Sequence, residues 1–149
     1  MRVRKYSLCE VFVRRVLPSL RMLLAEELVV RHGFTQLEAA KTLGISQPLI
    51  NYYLRGRRRF RGVEKLLRVP GIKRIVECVA KTIAEERSLG NEVTSNIACM
   101  LCKALRESLL LNSVLKALGI KEDEVRMPAE ECIEGEGVDA TLITRPGLK

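Results

Sequence analysis

Apolar residues recur at helical spacing over most of this chain, and the residues that interrupt them mark where each helix stops. Ser7 is placed to cap a first helix whose core-facing stripe is Cys9, Val13, Val16 and Leu17. Pro18 kinks or restarts that helix, because proline lacks an N–H and disfavours the α conformation at Leu17. A second helix over residues 19–32 turns Leu20, Leu23, Leu24, Leu28 and Val30 inward and is stopped by Gly33. Thr35 caps a third over residues 36–43, with Glu38 at capping-box spacing, and Gly44 ends it by entering the left-handed region. Ser46 caps a fourth, in whose first turn Pro48 is tolerated. Residues 63–69 predict a short helix broken by Pro70 and Gly71, followed by one to about Gly90 with Ile72, Ile75, Val76, Val79 and Ile83 on one face. A helix over residues 92–111 carries Ile97, Ala98, Leu101, Leu105 and Leu109. A last one runs from a cap at Asn112 or Ser113 to Leu118, closed by Gly119. No alternating run is flanked by hairpin turns, so the expected class is all-α.

Residues 35–56 organise the rest. Two short helices joined by a tight, Gly-containing turn make a helix-turn-helix, an arrangement whose second helix enters the DNA major groove. Leu37, Ala40, Leu43, Ile45, Ile50, Tyr53 and Leu54 are expected to share one small core, with Ala40 at the closest approach of the helices. Pro48, Asn51, Tyr52 and Arg55 then face outward, and Gln47 projects from the N-terminal end. Gln and Asn are the side chains that pair bidentately with adenine. A helical hairpin of some unrelated all-α protein is the plainer alternative.

Gln36, Ala39, Ala40, Leu43, Gly44, Ile45, Gln47, Ile50, Leu54 and Gly56 stand where the chain resembles helix-turn-helix regulators of the lambda-repressor and Cro class. CEVFVRRVLPSLR at residues 9–21 and CMLCKALR at residues 99–106 are similar to signatures of a group of small archaeal predicted transcriptional regulators. The DNA-binding unit of that group also looks like the front half of thiamine-biosynthesis repressors. Together the resemblances cover most of residues 8–120. They imply a lambda-repressor-like bundle of about five helices that binds double-stranded DNA, with further C-terminal helices.

Charge supports that expectation by its distribution. The net charge is +8, but residues 1–75 carry 17 Lys and Arg against five acids, an excess of +12, while residues 76–149 carry nine against 13, or −4. The front half is therefore the polyanion-binding half. Arg57, Arg58, Arg59 and Arg61 surround Phe60 and suit phosphates flanking the groove, while Gln47, Asn51, Tyr52 and Arg55 suit base edges. Gln36, Ser46 and Pro48 complete the candidate DNA-contacting set. The expected organisation is a DNA-binding domain over residues 1–90, C-terminal helices over 91–120 and an acidic, flexible tail over 121–149. Eight acids and one arginine fall between Glu122 and Asp139.

No stretch of 18 apolar residues exists, and Arg14, Arg15 and Arg21 interrupt each candidate signal-peptide core. The expectation is a cytoplasmic protein without a membrane partner, although residues 8–31 could also lie as a basic amphipathic helix on a membrane surface. His32, the single histidine, sits beside a helix C-terminus and suits its carbonyls better than catalysis. No enzyme activity is expected: a thiol oxidoreductase needs CxxC beside a βαβ pattern, which is missing.

Five cysteines, an odd number, argue against a disulfide framework. Small apolar packing is their default role, and no cofactor is required. Cys99 and Cys102 nonetheless share a helix face at a spacing that suits zinc or an iron–sulfur cluster, and the archaeal-regulator resemblance points to Cys9 as a further ligand. A metal- or redox-sensing DNA-binding switch is therefore one alternative, and a helical protein-protein adaptor another. Leu101, Leu105, Leu109, Leu110, Leu111 and Leu115 exceed what a monomer needs, which predicts a homodimer held by the C-terminal helices.

Overall fold

The computed structural model describes residues 6–56, 60–90 and 97–126. The chain is predominantly helical. Helix α1 (Leu8–Val11) starts at Ser7, whose hydroxyl accepts the Glu10 N–H at 3.3 Å while the Glu10 carboxylate accepts the Ser7 N–H. A π-helical turn (Phe12–Val16) joins α1 to α2 (Leu17–Arg31) without a break. Pro18 falls in the first turn of α2, directly after the π-helical turn. The Leu17 N–H reaches back five residues to the Phe12 carbonyl, and the widened turn places the proline ring in the first turn of α2, where no N–H is needed.

Helix α2 is the axis of the molecule. Leu17, Leu20, Leu24 and Leu28 recur at three- and four-residue intervals and are fully buried against the helices around them. Those are α3 (Gln36–Leu43), α4 (Gln47–Leu54), α5 (Arg61–Leu67) and α6 (Ile72–Ser88). Val30, expected inside, is 69% exposed because it lies more than 100° around the helix from that stripe. Gly62 lets α5 approach the start of α2, since a Cβ there would collide with the Ser19 hydroxyl.

Helix α7 (Ile97–Glu107) packs on α6, and α8 (Leu111–Ala117) packs on α5 and α7. The expected continuation of α7 to residue 111 fails at Leu109, which adopts φ 61°. The Leu110 N–H closes the turn onto the Leu105 carbonyl at 3.0 Å, and Leu110, not Asn112 or Ser113, precedes α8. Leu101, Leu105, Leu111 and Leu115 are buried in the chain's own core, so they are not the surplus that the sequence suggested. Only Leu109, at 85%, stands far out from this set. One apolar cluster runs from Leu8 to Val125, and the boundary expected at residue 90 interrupts no packing.

The described C-terminal end is also tied down. Strand β1 (Tyr6–Ser7) pairs in parallel with β2 (Val125–Arg126), Tyr6 opposite Val125, so residues 121–126 belong to the fold and not to a loose tail. Arg15 reinforces this closure by donating to the Leu118 carbonyl at 3.5 Å. The rest of the expected tail, residues 127–149, lies outside the described residues. No helix among the described residues is long and apolar enough to cross a membrane.

Candidate nucleic-acid interface

Local chemistry fixes the boundaries of α3 and α4. Thr35 Oγ1 accepts the Glu38 N–H at 3.1 Å while the Glu38 carboxylate accepts the Thr35 N–H at 2.9 Å, so two of the unbonded donors of the first turn are satisfied. Gly44, at φ 67°, reverses the chain, and the Ile45 N–H reaches the Ala40 carbonyl at 3.1 Å. Ser46 then caps α4 by accepting the Leu49 N–H at 3.4 Å.

Four tertiary contacts hold this two-helix unit. From the last turn of α6, the Arg87 guanidinium lies 4.0 Å from the centre of the Phe34 ring and reaches the Glu38 carboxylate at 3.3 Å. The Thr35 N–H, with help from Arg87, holds the Glu38 carboxyl below the usual carboxylate range despite some desolvation. On the other side, the Tyr53 hydroxyl donates to Glu26 of α2 at 2.8 Å, and its ring meets Phe60 at 5.6 Å between centroids. Burial, reinforced by Glu26, raises the Tyr53 phenol well above its ordinary value, so it stays a neutral donor. Ile50, Ala39, Ala40 and Leu43 fill the space between. Small residues on α3 allow the helices to approach closely.

Leu37, expected in that core, is 49% exposed. It falls roughly 110° around α3 from the Ala39, Ala40 and Leu43 face. The outward set is otherwise as expected: Ser46, Gln47, Pro48, Tyr52 and Arg55 are exposed on one surface, with Arg61 exposed at the start of α5. Asn51 is half-buried, and its Nδ2 donates to Gln36 Oε1 at 3.1 Å. Gln36 therefore positions Asn51 across the interhelical angle. Arg57, Arg58 and Arg59 lie outside the described residues.

Glu26, Phe34 and Arg87 carry no sequence signal for a role at this site, because each acts through a partner more than three residues away. Arg21 lies near this unit. It lines a cavity of about 130 Å³ beside Ile45, Leu49 and Phe60, next to the α3–α4 turn.

The cysteines lie elsewhere. Cys9 on α1 and Cys99 on α7 are exposed, and Cys102, one turn on, is half-buried. Burial pushes the Cys102 thiol up, Arg106 opposes this, and Cys9 and Cys99 add to the rise, which places the three thiols within electrostatic reach of one another. Among the described residues, no group of three or more His, Cys, Asp or Glu side chains is disposed to hold a metal ion. Cys78 is exposed on α6, and Cys132 lies outside the described residues. No family model, no curated protein and no solved structure matches this chain.

Proposed function

We propose that this chain is a sequence-specific regulator of transcription that binds double-stranded DNA as a homodimer, with α4 as its recognition helix. One observation carries the reading. A capped and braced pair of helices presents Gln47, Pro48, Tyr52 and Arg55 on an open face, with Asn51 held in place behind them by Gln36. Carboxamides at the N-terminal end and middle of a groove-entering helix match the donor and acceptor of an adenine edge, and Arg55 suits guanine or a phosphate. The arginines at positions 57, 58, 59 and 61 supply the sequence-independent part of the affinity. One short helix covers few base pairs, so useful specificity needs two copies on half-sites one DNA turn apart. Occupancy at a promoter would then occlude or recruit polymerase.

The test is selection of duplex fragments from a random pool by the full chain, followed by titration of the enriched site at several salt concentrations. The expected result is a two-fold symmetric consensus, with log affinity falling against log salt by about 0.9 for each phosphate contact. Absence of enrichment, together with binding that is insensitive to salt, would overturn the reading in favour of a protein-binding helical adaptor.

A further inference from the structure

Beside α4, on the surface turned away from its open face, α2 and the corner between α5 and α6 enclose a groove of about 330 Å³. Its floor is Leu23 and Val76, both part of the core. Its lips are Val30, 69% exposed, and Leu67, 41% exposed, two large apolar side chains that stand open among the described residues. Exposure of this kind on both sides of one concavity marks an interaction surface better than scattered single residues do.

The rim identifies the partner. On the α2 wall Arg31 pairs with Glu27 at 3.4 Å, one helical turn apart. On the α6 wall Lys73 and Glu77 have the same four-residue spacing with the order of charges reversed. Each of these two pairs therefore balances its own charge. The remaining rim carboxylate, Glu26, is held by the Tyr53 hydroxyl. With three carboxylates, Glu26, Glu27 and Glu77, against two cations, Arg31 and Lys73, the rim differs from balance by one negative charge and offers a strongly basic or acidic partner little net field. It does suit a surface with the same alternation, because a two-fold axis can set acid against base on both walls at once.

We infer that this groove is where a second copy of the chain docks. The inference rests on the DNA-binding reading, which needs two copies, and it names the surface that joins them. Docking there leaves Gln47, Tyr52 and Arg55 open. It also fixes the spacing of the two recognition helices, because Glu26 links the groove wall directly to Tyr53 on α4.

Sedimentation velocity of the full chain without DNA tests this, comparing wild type with a Val30→Glu, Leu67→Glu double variant and with Leu109→Glu as a control on the remote exposed leucine. The expected result is a dimer for wild type and Leu109→Glu and a monomer for the double variant, all with matching thermal melts, because the three positions are exposed. The double variant should keep its weak, salt-dependent binding to non-specific duplex and lose tenfold or more at a two-half-site duplex. If it melted early, a Val30→Ser, Leu67→Ser pair would carry the same comparison, with a weakened dimer expected. Dimers that survive both pairs, dimers lost only in Leu109→Glu, or a wild type that is monomeric with and without duplex would overturn the proposal. Failure of wild type to bind any duplex would instead count against the DNA-binding reading and leave the sedimentation result standing.

Discussion

The Asn51 side-chain amide donates to the Gln36 carboxamide oxygen at 3.1 Å across the angle between α3 and α4. This bond uses one amide hydrogen of Asn51 and leaves its carbonyl oxygen and second hydrogen for another partner. Replacing Asn51 with Ala should cost about 1–3 kcal/mol at the preferred duplex and little on non-specific DNA. Replacing Gln36 with Ala should cost less, and the double replacement should cost less than the two singly measured losses combined, because the two side chains act as one unit. Titration of all three variants on both duplexes checks this. Strict additivity would make Gln36 an independent contact.

Glu38 gives the unit an acid limb. A carboxylate whose native pKa is depressed stabilises the fold fully above its unfolded value, near 4.5, and the contribution is lost as the pH falls from there through the native value. Thermal melts from pH 7 down to pH 3 should therefore fall more steeply for wild type than for Glu38→Gln. Arg87→Ala should lower the melting temperature at neutral pH and shrink that difference, as it removes both the partner of Glu38 and the cation over Phe34. Equal slopes for wild type and Glu38→Gln would mean that the capping bonds seen here do not persist in solution.

Leu105 and Leu101 are fully buried, so truncating either to Ala should destabilise the whole chain by about 2–5 kcal/mol. Removal of everything after Gly90 should uncover the α6 face that α7 packs against and yield a poorly folded product rather than a free-standing DNA-binding domain. Urea unfolding followed by circular dichroism reads both effects. A truncated chain with a cooperative transition like that of wild type would contradict the single core.

Leu109 is the non-glycine residue among the described residues that adopts positive φ, at 61°, and its side chain is almost wholly solvent-exposed. A side chain in this region costs about 1–2 kcal/mol, partly offset in glycine by the greater freedom of the unfolded chain. Leu109→Gly should thus stabilise by about 0.5–1 kcal/mol in urea titration. A loss of stability would show that the leucine makes contacts the fold depends on.

Residues close together in the chain decided the helix boundaries at the site. Thr35, Glu38, Gly44 and Ser46 act on backbone groups within five residues, so spacing alone placed α3 at Gln36–Leu43 and the start of α4 at Gln47. Periodicity likewise identified the buried leucines of α2 and the isoleucine and valine face of α6. The tertiary structure decided what those faces meet. Whether Leu101 and Leu105 cover this chain or another copy depends on α7 returning to α6, and whether residues 121–126 hang free depends on β2 finding β1. The bracing of the site by Arg87 and Glu26, and the groove between Val30 and Leu67, arise from the same return of the chain. An apolar side chain gains its free energy from any covered surface, without direction, so the sequence determines that it will be buried while only the assembled helices determine against what.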